Sequence, residues 1–540
     1  MTEPQSPTSA AGAATHASEK LDRRVLSIGG VVVLGAIMAM LDITVVNVAL
    51  DRLIIEFHTT LDQMQWVATG YTLALATVIP LSGWAADRFG TKRIYLTAVF
   101  LFMLGSAAAG TAWSTESLIM FRVLQGLGGG MLMPLGMTIL TRAAGPERVG
   151  RVMAVLGVPM LMGPIVGPIL GGWLVDDVSW RWIFFINVPV GIISLILGAK
   201  ILDKDEPQPT QKLDVLGLAL LSPGLAALIY GLAQVPSHEG FGSPEVYLPA
   251  IGGAILVAAF IWHAARTPNA LIDLKLFRDR GFSVASITMV LFVVAFFGAM
   301  LLFPLYFQQV RFEGALSAGL LLAPQGIGAM IAMPIAGQIV DRGGAARLVQ
   351  LGLLVIVGSM VVFTQLGADT SYWTIGIALF VMGLGMGMTM MPIMSIALKT
   401  LKPENVARAS TSLNIIQQVA ASIGTAMLSV ILFNETKARL APVLAEIAAS
   451  QPPGTKPPAM TSMQDLPEQV RSILAPPMAD AYATTFVWAL VLLAVAFVPT
   501  LFLPRGKVGP APIEPVAGST GLESAEPSVE PERVTEGERR

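Results

Sequence analysis

Blocks of about 20 apolar residues follow one another from Val25 to Leu503, separated mostly by short polar breaks. A helix rising 1.5 Å per residue needs about 20 such residues to cross ~30 Å of hydrocarbon. The alternating ten-residue strands of a membrane barrel do not occur. The pattern predicts helices over 25–50, 64–86, 94–112, 117–141, 149–172, 182–202, 213–234, 246–265, 282–307, 315–340, 346–367, 373–399, 405–433 and 482–503. That is fourteen spans; a count of twelve requires two of the middle blocks to lie along the interface. Charged residues make up only 13% of the 540, against about 25% in soluble domains. The expected class is an all-α membrane protein.

Short-loop basic residues set the expected orientation. Loops after even-numbered helices carry Arg88, Lys92 and Arg93; Arg142, Arg148 and Arg151; Lys200, Lys204 and Lys212; Arg266, Lys275, Arg278 and Arg280; Arg342 and Arg347; and Lys399, Lys402 and Arg408. Short loops after odd-numbered helices carry only Arg52, Arg181 and Arg311. Lys20, Arg23, Arg24, Arg505 and Lys507 flank the first and last spans, so both termini are expected in the cytoplasm of a cell (inner) membrane. No cleavable signal peptide is expected, because the first apolar block is too long for one. Residues 1–24 and 504–540 are expected to be disordered cytoplasmic tails. Residues 434–481 form a proline-containing outside loop with an Ala/Leu/Glu stretch suited to short surface helices.

A loop motif occurs twice. Gly83, Asp87, Arg88 and Gly90 follow the second helix; Gly337, Asp341, Arg342 and Gly344 follow the tenth with identical offsets. One copy alone would pass for a positively charged loop, but two in matching places argue for duplicated halves. The halves are then 25–202 and 282–503, each of six helices, with 203–281 a linker carrying inserted helices 7 and 8. Parallel six-helix halves are a transporter architecture with the substrate site between them. Asp87, with Arg88 and Arg93 nearby, is expected to latch one conformation by accepting bonds from helix-terminal amides or arginines, as are Asp341 and Arg342.

Asp42 is the clearest acid within a predicted span, and such a group costs at least ~2.5–3.5 kcal/mol in hydrocarbon. Low-dielectric surroundings favour a neutral carboxyl, which suits a proton carrier; a structural acid satisfied by arginine is the alternative. Arg122 is the natural partner. Eight residues beyond Asp42 and about five before Arg122 set both at similar depth, ~12 and ~8 Å from one face. In helix 5, Gly163, Gly167 and Gly171 form a small-residue stripe, while Pro159, Pro164 and Pro168 remove backbone donors; Gly172 completes the run. Asn47, Gln125, Asn414, Gln417 and Gln418 are candidate cavity residues. Met153, Met160, Met162, Met382, Met386, Met388, Met390 and Met391 are soft enough for a promiscuous site, although most methionines simply pack.

These motifs together resemble the major facilitator superfamily, specifically its fourteen-helix drug:proton antiporters, over nearly the whole chain. Leu41–Leu50 resembles their helix 1 signature, Gly83–Arg93 the superfamily loop motif, and Arg122–Gly130 the helix 4 motif whose arginine is tied to proton transfer. Gly163-Pro164 through Gly171-Gly172 is similar to the antiporter motif of helix 5, and Trp180-Arg181-Trp182 with Asn187-Val-Pro189 to the signature that follows. Asp51 stands where the family usually has proline, and Thr91 where a basic residue is common.

The resemblance implies proton-coupled efflux of lipophilic or monocationic compounds by alternating access, with Asp42 protonated from outside and deprotonated inside. An exporter of an endogenous lipid or metabolite, or a facilitator or importer, is the alternative. No Gly-x-x-x-x-Gly-Lys-Ser/Thr loop for ATP occurs. No cysteine is present and four histidines lack ligand spacing, so no metal site is expected. No cofactor beyond the proton and no nucleic-acid partner is expected. The expected partners are amphiphilic small molecules and the bilayer, with the monomer as working unit.

Overall fold

The computed structural model describes residues 22–145, 148–204, 207, 212–238, 240–267, 270–399, 401, 405–450 and 468–504. The side chains of Asn47, Asp51, Pro159, Met160, Met162, Pro164 and Pro168 lie outside the described residues. So do Arg505 and Lys507, most of the two tails, and residues 451–467 of the long loop.

Among the described residues every regular element is a helix. They are α1 (Arg23–Phe57), α2 (Leu61–Phe89), α3 (Thr91–Gly110), α4 (Thr115–Ala144), α5 (Val149–Trp173), α6 (Trp182–Phe185), α7 (Asn187–Ile201), α8 (Val215–Ala233), α9 (Pro244–Arg266), α10 (Arg280–Gln309), α11 (Ala315–Leu321), α12 (Ala323–Asp341), α13 (Ala345–Phe363), α14 (Tyr372–Lys399), α15 (Val406–Ser450) and α16 (Glu468–Thr500). A π-turn at Leu174–Val178 follows α5, and a 3-10 turn at Leu274–Arg278 precedes α10. Thirteen stretches among the described residues are long and apolar enough to span a membrane. The 25 residues of α5 give a fourteenth helix of spanning length.

Local chemistry sets the ends. Ser114 and Ser117 form a reciprocal capping box at the start of α4, and Asp279 accepts the Phe282 amide at the start of α10. The sixth and tenth predicted helices each break in two. Pro324 explains the second break, since it suits the first turn of α12 but cannot continue α11. The expected short surface helices after 433 give way to a continuous α15 reaching Ser450. Glu435 and Arg439 pair one turn apart there, and Arg439 also donates to Thr484 on α16, so the two helices extend together beyond the span.

The helices α1–α5 and α7 pack on one another, as do α10 and α12–α16. The second group is cored by phenylalanines: Phe303, Phe363 and Phe486 bring α10, α13 and α16 together with ring centroids 4.7–5.6 Å apart. The groups meet along α5 with α12 and α14, and along α15 with α2 and α4. The helices α8 and α9 pair, and α8 leans on α2 and α15. Arg148 binds Asp22, and the Gln350 amide donates to the Thr500 carbonyl, so both ends of the described chain share one face of the bundle, the terminal face. Around the opposite face Trp113, Trp173, Trp182 and Trp373 are exposed, as expected of a membrane-interface belt.

Candidate functional site

Asp42 and Arg122 meet as their depths predict. Arg122 Nη1 donates to Asp42 Oδ2 at 2.5 Å, and both residues are only 1% exposed. Nη1 also donates to Gln125 Oε1 at 2.8 Å, and Nε donates to the Val67 carbonyl at 3.3 Å. The guanidinium lies 4.2 Å from the centre of the Tyr71 ring, a cation–π contact away from water. The other oxygen, Asp42 Oδ1, accepts from Gln125 Nε2 at 2.7 Å and from Asn187 Nδ2 at 3.3 Å. Asn187 donates in turn to Ser106, whose hydroxyl donates to the Phe184 carbonyl. Every described hydrogen bond on the carboxylate comes from an N–H donor. The network joins α1, α2, α3, α4 and α7.

Gln125 was expected in the cavity and instead belongs to this network. It lies three residues after Arg122, on the same face of α4, so it shares the arginine's direction into the first helical group. Asn187 and Ser106 were missed as site residues, although a polar amide inside an apolar span is a readable signal for Asn187. The Tyr71 hydroxyl, buried against Gly129, has no hydrogen-bond partner among the described residues.

The stripe on α5 faces α1 beside this network. A Cβ added at Gly163 would sit 3.2 Å from the Met40 carbonyl, at Gly167 2.0 Å from Thr44 Oγ1, and at Gly171 3.2 Å from Val45 Cγ1. Gly172 points into open space.

The duplicated motif joins the two groups at the terminal face. Asp87, on α2, stands 3.4 Å from Arg408 Nε of α15 and 3.8 Å from Arg142 Nη2 of α4. Asp341, on α12, accepts the Gly150 amide at 2.9 Å and Arg151 Nε at 2.7 Å, both at the start of α5. The relation is reciprocal: each aspartate reaches the N-terminal end of a helix in the other group. The first glycine of each copy permits it. A Cβ at Gly83 would meet Thr411 Oγ1 at 3.0 Å, and one at Gly337 would meet the Arg151 backbone at 2.9 Å. The expected arginines are only part of this arrangement. Arg88 and Arg93 make no ion pair with another described residue, and the cations on Asp87 and Asp341 come from α4, α15 and α5. Helical geometry explains this, since Arg88 directly follows Asp87 and points to another side of α2. The turns also differ: the residue with positive φ is Gly90 in the first copy but Gly343, not Gly344, in the second.

Between the groups lies a cavity of about 130 Å³. Asn414, Gln417 and Gln418 supply its amides, as expected. Met40, Met133, Met137, Met153, Met391 and Met394 supply much of the rest, and no charged side chain among the described residues lines it. Of the methionines singled out from sequence, Met153 and Met391 are here; Met382, Met386 and Met390 are buried in packing. Ala39, Met40 and Ile43 of the lining flank Asp42 along α1.

Residues 32–425 match the Major Facilitator Superfamily. The chain is 43% identical over 495 residues to the multidrug resistance protein B homolog of Mycobacterium tuberculosis, covering 90% of this chain and 91% of that one. It is 34% identical to the multidrug export protein EmrB of Haemophilus influenzae, over 74% of this chain and 79% of that one. Among solved structures, the human organic anion transporter MFSD10 (TETRAN) superposes with a TM-score of 0.57 at 14% identity, covering 87% of this chain and 99% of that one. The proton:xylose symporter XylE gives 0.52 at 14% identity, covering 89% and 96%. By sequence and by fold, this chain belongs to the Major Facilitator Superfamily and is a multi-pass membrane transporter rather than an enzyme.

Proposed function

We propose that the chain is a proton-coupled multidrug efflux antiporter of the cell (inner) membrane, exporting lipophilic or monocationic compounds by alternating access. The observation that carries the reading is the buried Asp42–Arg122 network, set one helix face away from the methionine-lined cavity. The Lys/Arg bias of the loops assigns the terminal face to the cytoplasm. The Asp87 and Asp341 contacts then close the cytoplasmic side. Substrate leaves outward as Asp42 takes a proton. A neutral Asp42 no longer balances Arg122, a buried cation, and the halves rearrange until the proton leaves to the cytoplasm. The relatives named for multidrug resistance and export support the substrate class, as does the flexible, uncharged lining. The working unit is the monomer.

The test is transport in proteoliposomes under an imposed pH gradient, comparing wild type with Asp42→Asn. The gradient should drive substrate movement in wild type and fail to in the variant. If gradient-driven movement is equal in both, Asp42 is not the coupling group.

A further inference from the structure

The proposed function leaves open how a membrane-dissolved compound reaches a cavity closed toward the terminal face. The inserted pair α8–α9 stands where the two halves meet. Leu221 and Leu225 of α8 are buried with Ile79 of α2 and Ile415 of α15 in one apolar cluster. Just outside the cavity, Ala76, Ile79, Leu225, Ile229, Ile415, Gln418 and Val419 enclose a cleft too tight for water. Ile79 and Gln418 line both the cleft and the cavity. Side chains of α8, with Phe260 and Ala264 of α9 in the same cluster, thus cover the cavity on this side.

The two edges of α8 are held differently. Against α2 it has a hydrogen bond from Ser222 Oγ to the Thr77 carbonyl at 2.6 Å and a stacked pair, Trp66 with Tyr230, at 5.5 Å. Against α15 it packs through Leu225, Ile229 and Leu232 on Ile415, Val419 and Ala426, with no hydrogen bond between the two helices among the described residues. The pair is itself stiff: Cβ atoms at Gly231 and Gly253 would fall within 2.5 Å of backbone on the facing helix, so α8 and α9 touch main chain to main chain. Asp214 caps α8 and also binds His263 at the end of α9, at 2.8 Å for each contact. A stiff unit anchored to one half and merely resting on the other must slip at the second contact when the halves rock.

From this asymmetry we infer that the α8–α15 contact is a lateral door, through which lipophilic cations pass from the bilayer into the cavity, with Leu225, Ile229, Ile415 and Val419 as its leaves. The inference rests on the efflux reading and adds the route. The door opens on the hydrocarbon, so it selects compounds by their partition into lipid before any contact with the cavity amides.

The chain contains no cysteine, so introduced thiols act alone. One variant carries Ile229→Cys with Val419→Cys across the door; the other carries Trp66→Cys with Tyr230→Cys across the anchored edge. Each is joined by a reducible bifunctional thiol reagent and assayed in proteoliposomes with tetraphenylphosphonium. Locking the door should slow transport about tenfold or more, reversed by reductant, while locking the anchored edge should change it by less than about twofold. Equal rates in the door-locked and reduced protein, or equal inhibition by both cross-links, would overturn the inference. A second arm does not depend on transport: Ile415→Cys, buried in the closed door, should gain reactivity toward a membrane-confined maleimide when a pH gradient is imposed. Absence of that gain would also overturn it. Reduced protein that moves no tetraphenylphosphonium would instead count against the efflux reading, with the maleimide arm still deciding the door.

Discussion

Replacing Asp42 with asparagine removes one charge from a site where nothing else described is positioned to balance Arg122. The arginine would keep its bonds to the Val67 carbonyl and Gln125 Oε1 and its place over Tyr71, so its polar contacts survive while its counter-charge does not. Breaking a buried pair from one side costs about 3–5 kcal/mol. The surviving acceptors, with the new amide oxygen beside them, argue for the lower end. About 3 kcal/mol is roughly a hundredfold in the balance between this conformation and its competitors. Thermal unfolding of purified protein, followed by tryptophan fluorescence, should show Asp42→Asn clearly destabilised at neutral pH. Adding Arg122→Gln should restore most of the loss, because the double variant buries no unpaired charge. A single variant as stable as wild type, or losses that simply add in the double variant, would refute the reasoning.

Other outcomes follow from the helix contacts. Gly167→Val should abolish transport in folded protein, since its Cβ alone would lie 2.0 Å from Thr44 Oγ1, whereas Gly172→Ala should leave transport rates unchanged. Asp341→Asn should loosen the terminal face more than Asp87→Asn, read as thiol labelling of a cysteine placed in that face. It disrupts two short bonds, and a hydrogen bond to a charged group is worth about 1.5–3 kcal/mol. Gln417→Leu should shift the relative rates for different substrates while the response to pH gradient stays, as Gln417 lines the cavity and is not part of the Asp42 network.

The spans were legible because burial in lipid imposes a length on every helix, and Asp42 with Arg122 because position along a span converts directly into depth. Both are local readings. Asn187 lies on α7, yet it completes the Asp42 shell, and no pattern around it states that α7 sits beside α1. Arg408, Arg142 and Arg151 looked like ordinary loop charges, and only the meeting of the two helical groups makes them partners of the motif aspartates. The extension of α15 to Ser450 was missed for a different reason. Its apolar stretch ends near residue 433, while the helix is carried on by Ala/Leu propensity, the Glu435–Arg439 pair and contact with α16.

The two aspartate contacts are reciprocal in sequence but unequal in stiffness. On the α5–α12 side a backbone amide is among the donors, and the helices meet at Gly150 and Gly337 with main chain against main chain. On the α2–α15 side the bonds to Asp87 are long and come from arginine side chains that can follow a moving partner. A rotation that spares the stiffer contact has its pivot there. Like a book bound along α5 and α12, the protein gains the most width at the edge opposite the spine, where α2 and α15 part.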